Sequence, residues 1–122
     1  MGKHVLLIGW HPSVVDYSKH PGLDAATLEA ALRADEQALN DAGYKASLGF
    51  IHDDDSAADT VASMLRGTRF DVVLIGAGVR KNNDKFLVFE TLVNVVHANA
   101  PQANIAFNTG PRDTADAVRR WT

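Results

Sequence analysis

Two uninterrupted apolar segments constrain the fold of this chain more than any other feature. They are residues 5–8, Val-Leu-Leu-Ile, and residues 72–75, Val-Val-Leu-Ile. A strand that is buried on both faces has no polar side, so its sequence is continuously apolar. Residues 45–50 and 104–107 instead alternate between polar and apolar side chains, which is typical of a strand with one less buried face. We therefore expect the two apolar segments to form central strands and the two alternating segments to form edge strands.

Helical segments follow each of the four predicted strands. Asp24 is the expected N-cap of the first helix, and Gly43 fits the residue just past its end. A capping box that starts at Ser56 predicts a second helix, which ends at Gly67. A strongly apolar third helix is expected over residues 84–99, before a proline that forbids its continuation. A short fourth helix contains Ala117, Val118 and Trp121.

This order, strand then helix four times over, predicts a single α/β domain over residues 1–122. Strands that alternate with helices form a parallel sheet with helices on both faces, connected by right-handed crossovers. We predict a three-layer, doubly wound sandwich whose four-stranded parallel sheet has the order 2-1-3-4, which resembles a truncated flavodoxin-like fold. The first and last helices then cover one face of the sheet, and the second and third cover the other. A Rossmann-like order, 3-2-1-4, is the alternative, but it places the polar-sided second strand in the middle.

The composition excludes several classes of function. The chain of 122 residues is 46% apolar and has a formal net charge of -3, so it lacks a basic footprint and we expect no nucleic-acid partner. It contains no cysteine, which excludes disulfides, thiolate metal sites and cysteine nucleophiles. No apolar stretch reaches about 18 residues, and the first residues do not resemble a signal peptide. We therefore expect a cytoplasmic protein with no membrane partner.

The predicted topology places a ligand site at the carboxyl edge of the sheet. In open parallel sheets, ligands bind beyond the C-terminal strand ends, where neighbouring connections lead to opposite faces. Here that position lies between the first and third strands, so the loops that start at Trp10 and Gly76 form its walls. Trp10 is a candidate stacking platform for a ring; alternatively, it is a partly buried lid on the core. The fold by itself does not identify the ligand.

The segment Gly-Ala-Gly-Val-Arg-Lys-Asn after the third strand has the features of an anion site. Gly76 and Gly78 let the backbone approach a ligand closely, and Arg80 and Lys81 place positive charge beside a helix N-terminus. Asn82 adds a polar group that contacts the ligand. The segment resembles the start of a dinucleotide-binding fingerprint, but Lys81 occupies the third glycine position, so no cofactor is assigned. The alternative is a structural strand-to-helix turn with solvated cations.

A second candidate anion site follows the fourth strand. A Gly-Pro pair at the start of the last helix leaves backbone N–H groups free for an anion if no side chain caps the helix. Asn108, Thr109 and Arg112 supply further donors at this position. The alternative is that Asp113 caps the helix itself.

Histidines on the same edge are candidates for catalysis or for metal binding. His11 is the candidate general base, because histidine titrates near neutral pH. His11, His20 and His52 together with Asp53 are candidate ligands of a divalent metal. No HxH or HExxH spacing supports this set, and loop histidines are commonly ordinary surface residues, so no metal site is assigned.

Two functions from different classes follow from these patterns. In the first, the protein binds a small anionic ligand, a phosphate or carboxylate compound, at this edge of the sheet; whether it also transforms that ligand is left open. In the second, it is a non-catalytic interaction module that forms a homodimer through its third helix. The apolar residues of that helix extend most of the way round it, and one face of a sheet covers only a stripe. They are Phe86, Leu87, Val88, Phe89, Leu92, Val93, Val95 and Val96.

Overall fold

Four parallel strands form one sheet in a computed structural model that describes residues 2–122. They are β1 (His4–Trp10), β2 (Lys45–Ile51), β3 (Val72–Ile75) and β4 (Asn104–Phe107). The order across the sheet is β2-β1-β3-β4, and each neighbouring pair is parallel. The predicted order 2-1-3-4 is therefore confirmed, and the Rossmann-like alternative is wrong. The α/β architecture is consistent with a flavodoxin-like fold.

Helices cover both faces of this sheet. The helices are α1 (Ala25–Asp41), α2 (Asp54–Gly67), α3 (Ala77–Arg80), α4 (Phe86–Asn99) and α5 (Thr114–Arg120). On one face α1 contacts α5, and on the other α2 packs against α4. This arrangement confirms the predicted three layers and the predicted division of the helices between the two faces.

The sheet separates two hydrophobic clusters, because successive residues of a strand point to opposite faces. Val5 and Leu7 of β1 belong to the cluster under α1 and α5. Leu6 and Ile8 belong to the cluster under α2 and α4. Residues 72–75 of β3 are likewise shared between the two clusters and are all buried. The two continuous apolar segments are therefore the central strands, as the sequence predicted.

Local signals at the ends of α1 are confirmed. The Asp24 carboxylate accepts a hydrogen bond from the backbone N–H of Thr27 at 2.7 Å, so Asp24 is the N-cap. After the helix, Gly43 adopts a φ of 98°, a left-handed conformation that glycine reaches without steric cost.

Two helix starts differ from the sequence predictions. α2 begins at Asp54 and not near Ser56, because the Asp53 carboxylate accepts from the Ser56 N–H at 2.7 Å and caps the helix earlier. The predicted helix over residues 84–99 starts at Phe86, and a separate short helix, α3, precedes it. Between them, the Asn82 side chain accepts from the Asp84 N–H and caps a 3-10 turn over Asn83–Lys85.

α4 is buried along one stripe and exposed at its first turn. Val88, Leu92 and Val96 are buried in the core, while Phe86 and Leu87 are 57% and 71% exposed. The predicted excess of apolar surface is thus concentrated at the N-terminal end of the helix. No helix within residues 2–122 is both long enough and apolar enough to cross a membrane.

Candidate functional site

A pocket of about 1010 Å³ lies at the carboxyl edge of the sheet. The chain leaves β1 for the α1 face and leaves β3 for the opposite face, so β1 and β3 meet at the topological switch point. The pocket is walled by the ends of these strands, by their loops and by the first half of α1. It occupies the position where the topology predicted a ligand site.

The inner wall of the pocket is apolar, because it is lined by leucines of α1 and of the sheet. The space between them exists because the first half of α1 does not pack tightly on the sheet. Leu39, near the C-terminal end of α1, is completely buried in the core. Leu32 and Leu28, about two and three turns earlier, are only half-buried and line the pocket. From the sheet, the residues that meet them across the pocket include Leu7, Leu48 and Leu74.

A chain of hydrogen bonds connects this inner wall to the glycine turn. The backbone N–H of Ala77 donates to Asn108 Oδ1 at 2.8 Å, and Asn108 Nδ2 donates to Thr114 Oγ1 at 2.9 Å. Thr114 Oγ1 donates to Asp35 Oδ2 at 2.9 Å. Asn108 and Thr114 are 7% and 3% exposed, so these interactions are sheltered from water. All four residues line the pocket.

Burial raises the pKa of the Asp35 carboxyl above its ordinary value of 3.8; the hydrogen bond from Thr114 opposes this shift, and the negative charge of Asp113 adds to it. A carboxylate loses favourable hydration when it is taken out of water, so its neutral form is favoured there. Asp35 is thus the carboxyl group in the apolar part of the pocket.

The glycine turn after β3 brings two backbones close together. The N–H of Gly76 donates to the carbonyl of Ile8 at 2.9 Å, and a Cβ atom at Gly76 would lie 3.2 Å from that oxygen. Gly76, Gly78 and Asn82 all line the pocket, and ligand binding by them stays a prediction. Asn82 also caps the following 3-10 turn.

The two cations of the predicted anion site contact the neighbouring loop. An Arg80 Nη atom donates to the carbonyl of Asn108 at 2.7 Å, and Lys81 Nζ donates to the carbonyl of Thr109 at 2.6 Å. The Arg80 guanidinium also lies 5.9 Å from the ring centroid of Phe107. Neither cation belongs to the pocket wall. Both side chains therefore fasten the β3–α4 connection to the loop after β4, and anion binding by them stays a prediction.

The loop after β4 supplies its own carboxylate to its backbone donors. Asp113 accepts from the N–H groups of Thr109 and Gly110 and from Thr109 Oγ1. Burial raises the pKa of Asp113, but these hydrogen bonds outweigh it and hold the pKa below its ordinary value. The two N–H groups are thus not free for an external anion. Asp113 holds the N-cap position of α5, as the alternative predicted, but its side chain bonds the preceding loop and makes no capping hydrogen bond to the helix.

Arg112 is exposed and lies outside the pocket wall, as does Thr109. Of the three side-chain donors predicted after β4, only Asn108 lines the pocket, and the predicted Gly-Pro pair, Gly110 and Pro111, lines it as well.

Two ion pairs lie among the residues that line the pocket. Lys19 Nζ lies 3.0 Å from a carboxylate oxygen of Asp84, and Lys85 Nζ lies 2.8 Å from one of Asp54. Lys85 Nζ is also 5.6 Å from the ring centroid of Trp10, which lines the pocket as predicted. The indole Nε1 of Trp10 is buried and has no hydrogen-bond partner among residues 2–122.

The histidines are arranged in a way the sequence did not predict. The rings of His11 and His52 stack with centroids 4.8 Å apart, and His11 Nδ1 accepts from the backbone N–H of Ser13 at 3.1 Å. His52, His20 and Asp53 line the mouth of the pocket, whereas His11 does not. Within residues 2–122, no three histidine, aspartate or glutamate side chains are grouped so that they could hold a metal ion. General-base catalysis by His11 stays a prediction, and Nε2 is the nitrogen left for it.

Sequence reasoning missed Asp35 and Thr114. Leu28, Leu32, Asp35 and Leu39 follow one another at spacings of four, three and four residues, so they share one face of α1. A carboxylate within an apolar stripe is a signal that could have identified Asp35, because buried acids require a partner. Thr114 gives no comparable signal, since threonine is common at the start of a helix.

Comparison with known proteins found no matching family model and no curated sequence of significant similarity.

Proposed function

We propose that this protein binds a small organic molecule in the pocket at the carboxyl edge of its sheet. The observation that carries this proposal is the pocket itself, about 1010 Å³ in volume and located at the switch point between β1 and β3. Ligand pockets in proteins typically enclose about 300–1,000 Å³, with apolar walls and a few convergent polar groups. The leucines of α1 and the sheet supply the apolar wall, and Asp35 and Asn108 supply polar side chains.

The ligand predicted from the sequence is anionic and lies against Gly76 and Gly78. Both glycines line the pocket, which supports a close approach of ligand to backbone. Arg80 and Lys81 would have to exchange the carbonyls of the adjacent loop for the ligand. This form of the proposal therefore needs a local rearrangement, which anion-dependent protection of residues 76–82 from hydrogen exchange would report.

Occupancy of the pocket can be tested with N-phenyl-1-naphthylamine, a neutral dye whose fluorescence increases in apolar surroundings. Ala31 lies on the pocket side of α1, so Ala31→Phe fills part of the pocket. Ala34 lies on the exposed side of the same helix, so Ala34→Phe is the matched control. We expect saturable dye binding to the wild type and to Ala34→Phe, and binding weakened roughly tenfold or more by Ala31→Phe. Equal binding to both variants, or no saturable binding to the wild type, would contradict the proposal.

A second candidate function is self-association through the first turn of α4. Its support is the exposure of two adjacent large apolar residues, Phe86 at 57% and Leu87 at 71%. Apolar surface of this kind is commonly covered by another protein surface, and a two-fold dimer is the simplest such arrangement.

Light scattering at micromolar concentration tests this second function. The expected result is a dimer mass for the wild type and a monomer mass for Leu87→Glu, since a charge opposes burial of this patch. Ala34→Glu, which adds the same charge on an exposed position of α1, should leave the dimer intact. A monomer mass for the wild type rejects the homodimer.

A further inference from the structure

The series of hydrogen bonds that runs from Ala77 through Asn108 and Thr114 to Asp35 has a fixed donor-to-acceptor direction. A backbone N–H can only donate, so the atom of Asn108 that meets Ala77 N is the amide oxygen. The amide nitrogen of Asn108 must then donate to Thr114 Oγ1. The hydroxyl hydrogen of Thr114 is thereby left for Asp35, whose carboxylate can only accept. Every donor in this series of hydrogen bonds points towards Asp35.

Asp35 consequently presents acceptors to the pocket and no donor. Its Oδ2 receives the hydrogen bond from Thr114, and its Oδ1 receives none from residues 2–122. Asp35 lies on the pocket face of α1 together with Leu28 and Leu32. A carboxylate in apolar surroundings binds a ligand more tightly when the ligand donates a hydrogen bond to it, and more tightly still when the donor also carries positive charge.

The charged residues around the pocket also favour a positively charged ligand. Its two lysines, Lys19 and Lys85, are each within 3.0 Å of a carboxylate, so their charge is already compensated. The carboxylates that line the pocket outnumber the lysines by five to two, and they are Asp16, Asp35, Asp53, Asp54 and Asp84. A carboxylate or phosphate ligand near Asp35 would meet negative charge, and an ammonium group would be attracted.

We propose, on the basis of the small-molecule function above, that the ligand is an amine attached to an apolar body. Its protonated nitrogen donates to Asp35 Oδ1, and its aromatic or aliphatic body lies among the leucines of the inner wall. The observed burial is consistent with this pairing: it raises the pKa of Asp35 in the absence of a cation, and a neighbouring ammonium would lower that pKa again. An amine is the donor that Asp35 lacks.

Three indole compounds of similar size separate the possibilities: tryptamine is cationic, tryptophol is neutral and indole-3-propionate is anionic. Each is titrated against the N-phenyl-1-naphthylamine complex of the full chain, and displacement of the dye is measured. We expect tryptamine to bind roughly tenfold or more tightly than tryptophol, and indole-3-propionate to bind most weakly. In Asp35→Asn, which retains an acceptor for Thr114, the advantage of tryptamine over tryptophol should fall to about twofold or less.

Asp59→Asn is the matched control, because it removes an exposed carboxylate from α2 outside the pocket wall. This variant should keep the wild-type preference for tryptamine, and both variants should bind the neutral dye as the wild type does. Dye binding with no preference for the amine, or a preference that survives Asp35→Asn, would overturn the amine ligand and leave the small-molecule function standing. Failure of the dye and of all three compounds to bind would reject both. Strongest binding of indole-3-propionate would restore the anionic ligand.

Discussion

At the scale of single residues, Gly43 carries a backbone requirement that no other residue type meets easily. Its φ of 98° lies in the left-handed region, where a side chain costs about 1–2 kcal/mol. We expect Gly43→Ala to lower the free energy of unfolding by about that amount. Gly67→Ala is the control, because it lies within α2 at an ordinary φ and a Cβ there meets nothing within 4 Å. Urea unfolding should show Gly67→Ala to be neutral or slightly stabilising; equal destabilisation by both substitutions would contradict the strain at Gly43.

Asp35 makes the stability of the protein depend on pH in a defined direction. The pKa of Asp35 is higher in the folded than in the unfolded chain. Between its ordinary value of 3.8 and the folded pKa, the folded chain therefore keeps the proton on Asp35 more often than the unfolded chain does. Its contribution to stability is therefore lost across that range. Asp35→Asn removes the charge, so its stability relative to the wild type should increase between about pH 3 and about pH 7. Thermal unfolding at both pH values measures this difference.

Asp113 provides a control of opposite sign for this pH dependence. Its folded pKa is lowered, so its contribution is present above 3.8 and is lost as pH falls through the folded pKa. The stability lost in Asp113→Asn relative to the wild type should therefore be largest above pH 3.8, and it should become smaller as the solution is made more acidic. A stability difference that does not change with pH for either variant would contradict the assigned shifts.

At the scale of structural elements, Arg80 connects α3 to the loop after β4. It donates to the carbonyl of Asn108 and packs near the ring of Phe107. We expect Arg80→Ala to lower the free energy of unfolding by about 1–2 kcal/mol, because a hydrogen bond from a charged donor and its packing are lost. Arg112→Ala, which removes an exposed arginine from the same loop, should change stability by less than about 0.5 kcal/mol.

An anion site at Arg80 predicts a different outcome for the same substitution. In that case Arg80→Ala weakens anion binding at least about tenfold while leaving stability nearly unchanged. Denaturant unfolding of both variants, combined with phosphate titration, distinguishes the two roles. Unchanged stability with lost anion binding would return Arg80 to the ligand site.

At the scale of the whole molecule, the two hydrophobic clusters share the central strands and should unfold together. Trp10 packs against the cluster on the α2 and α4 face, and Trp121 follows α5 on the other face. Single-tryptophan variants, Trp121→Phe and Trp10→Phe, therefore report on opposite sides of the sheet. We expect urea transitions from both fluorescence signals to coincide with the transition from circular dichroism of the same variant. Separate transitions within either variant would contradict the prediction of a single domain.

The sequence by itself determined the layers and the strand order of this protein. Whether a strand is buried on one face or on both is recorded in consecutive residues, so residues 5–8 and 72–75 identified the centre of the sheet before any contact was known. The cap at Asp24 and the turn at Gly43 were equally readable, because they depend on a few neighbouring residues. The starts of α2 and α4 were harder to predict from the sequence, since adjacent aspartates and asparagines compete for the same cap.

The tertiary structure alone decided what lines the site and which charges are free. The bond from Thr114 to Asp35 joins residues 79 positions apart, and the contacts of Arg80 and Lys81 with the loop after β4 span 28. Such contacts depend on where the sheet brings distant loops, and on whether a cation finds a backbone carbonyl before it reaches a ligand. The pocket has the same origin: Leu28 and Leu32 carry the pattern of core residues, and only the packing of α1 on the sheet leaves them facing a cavity.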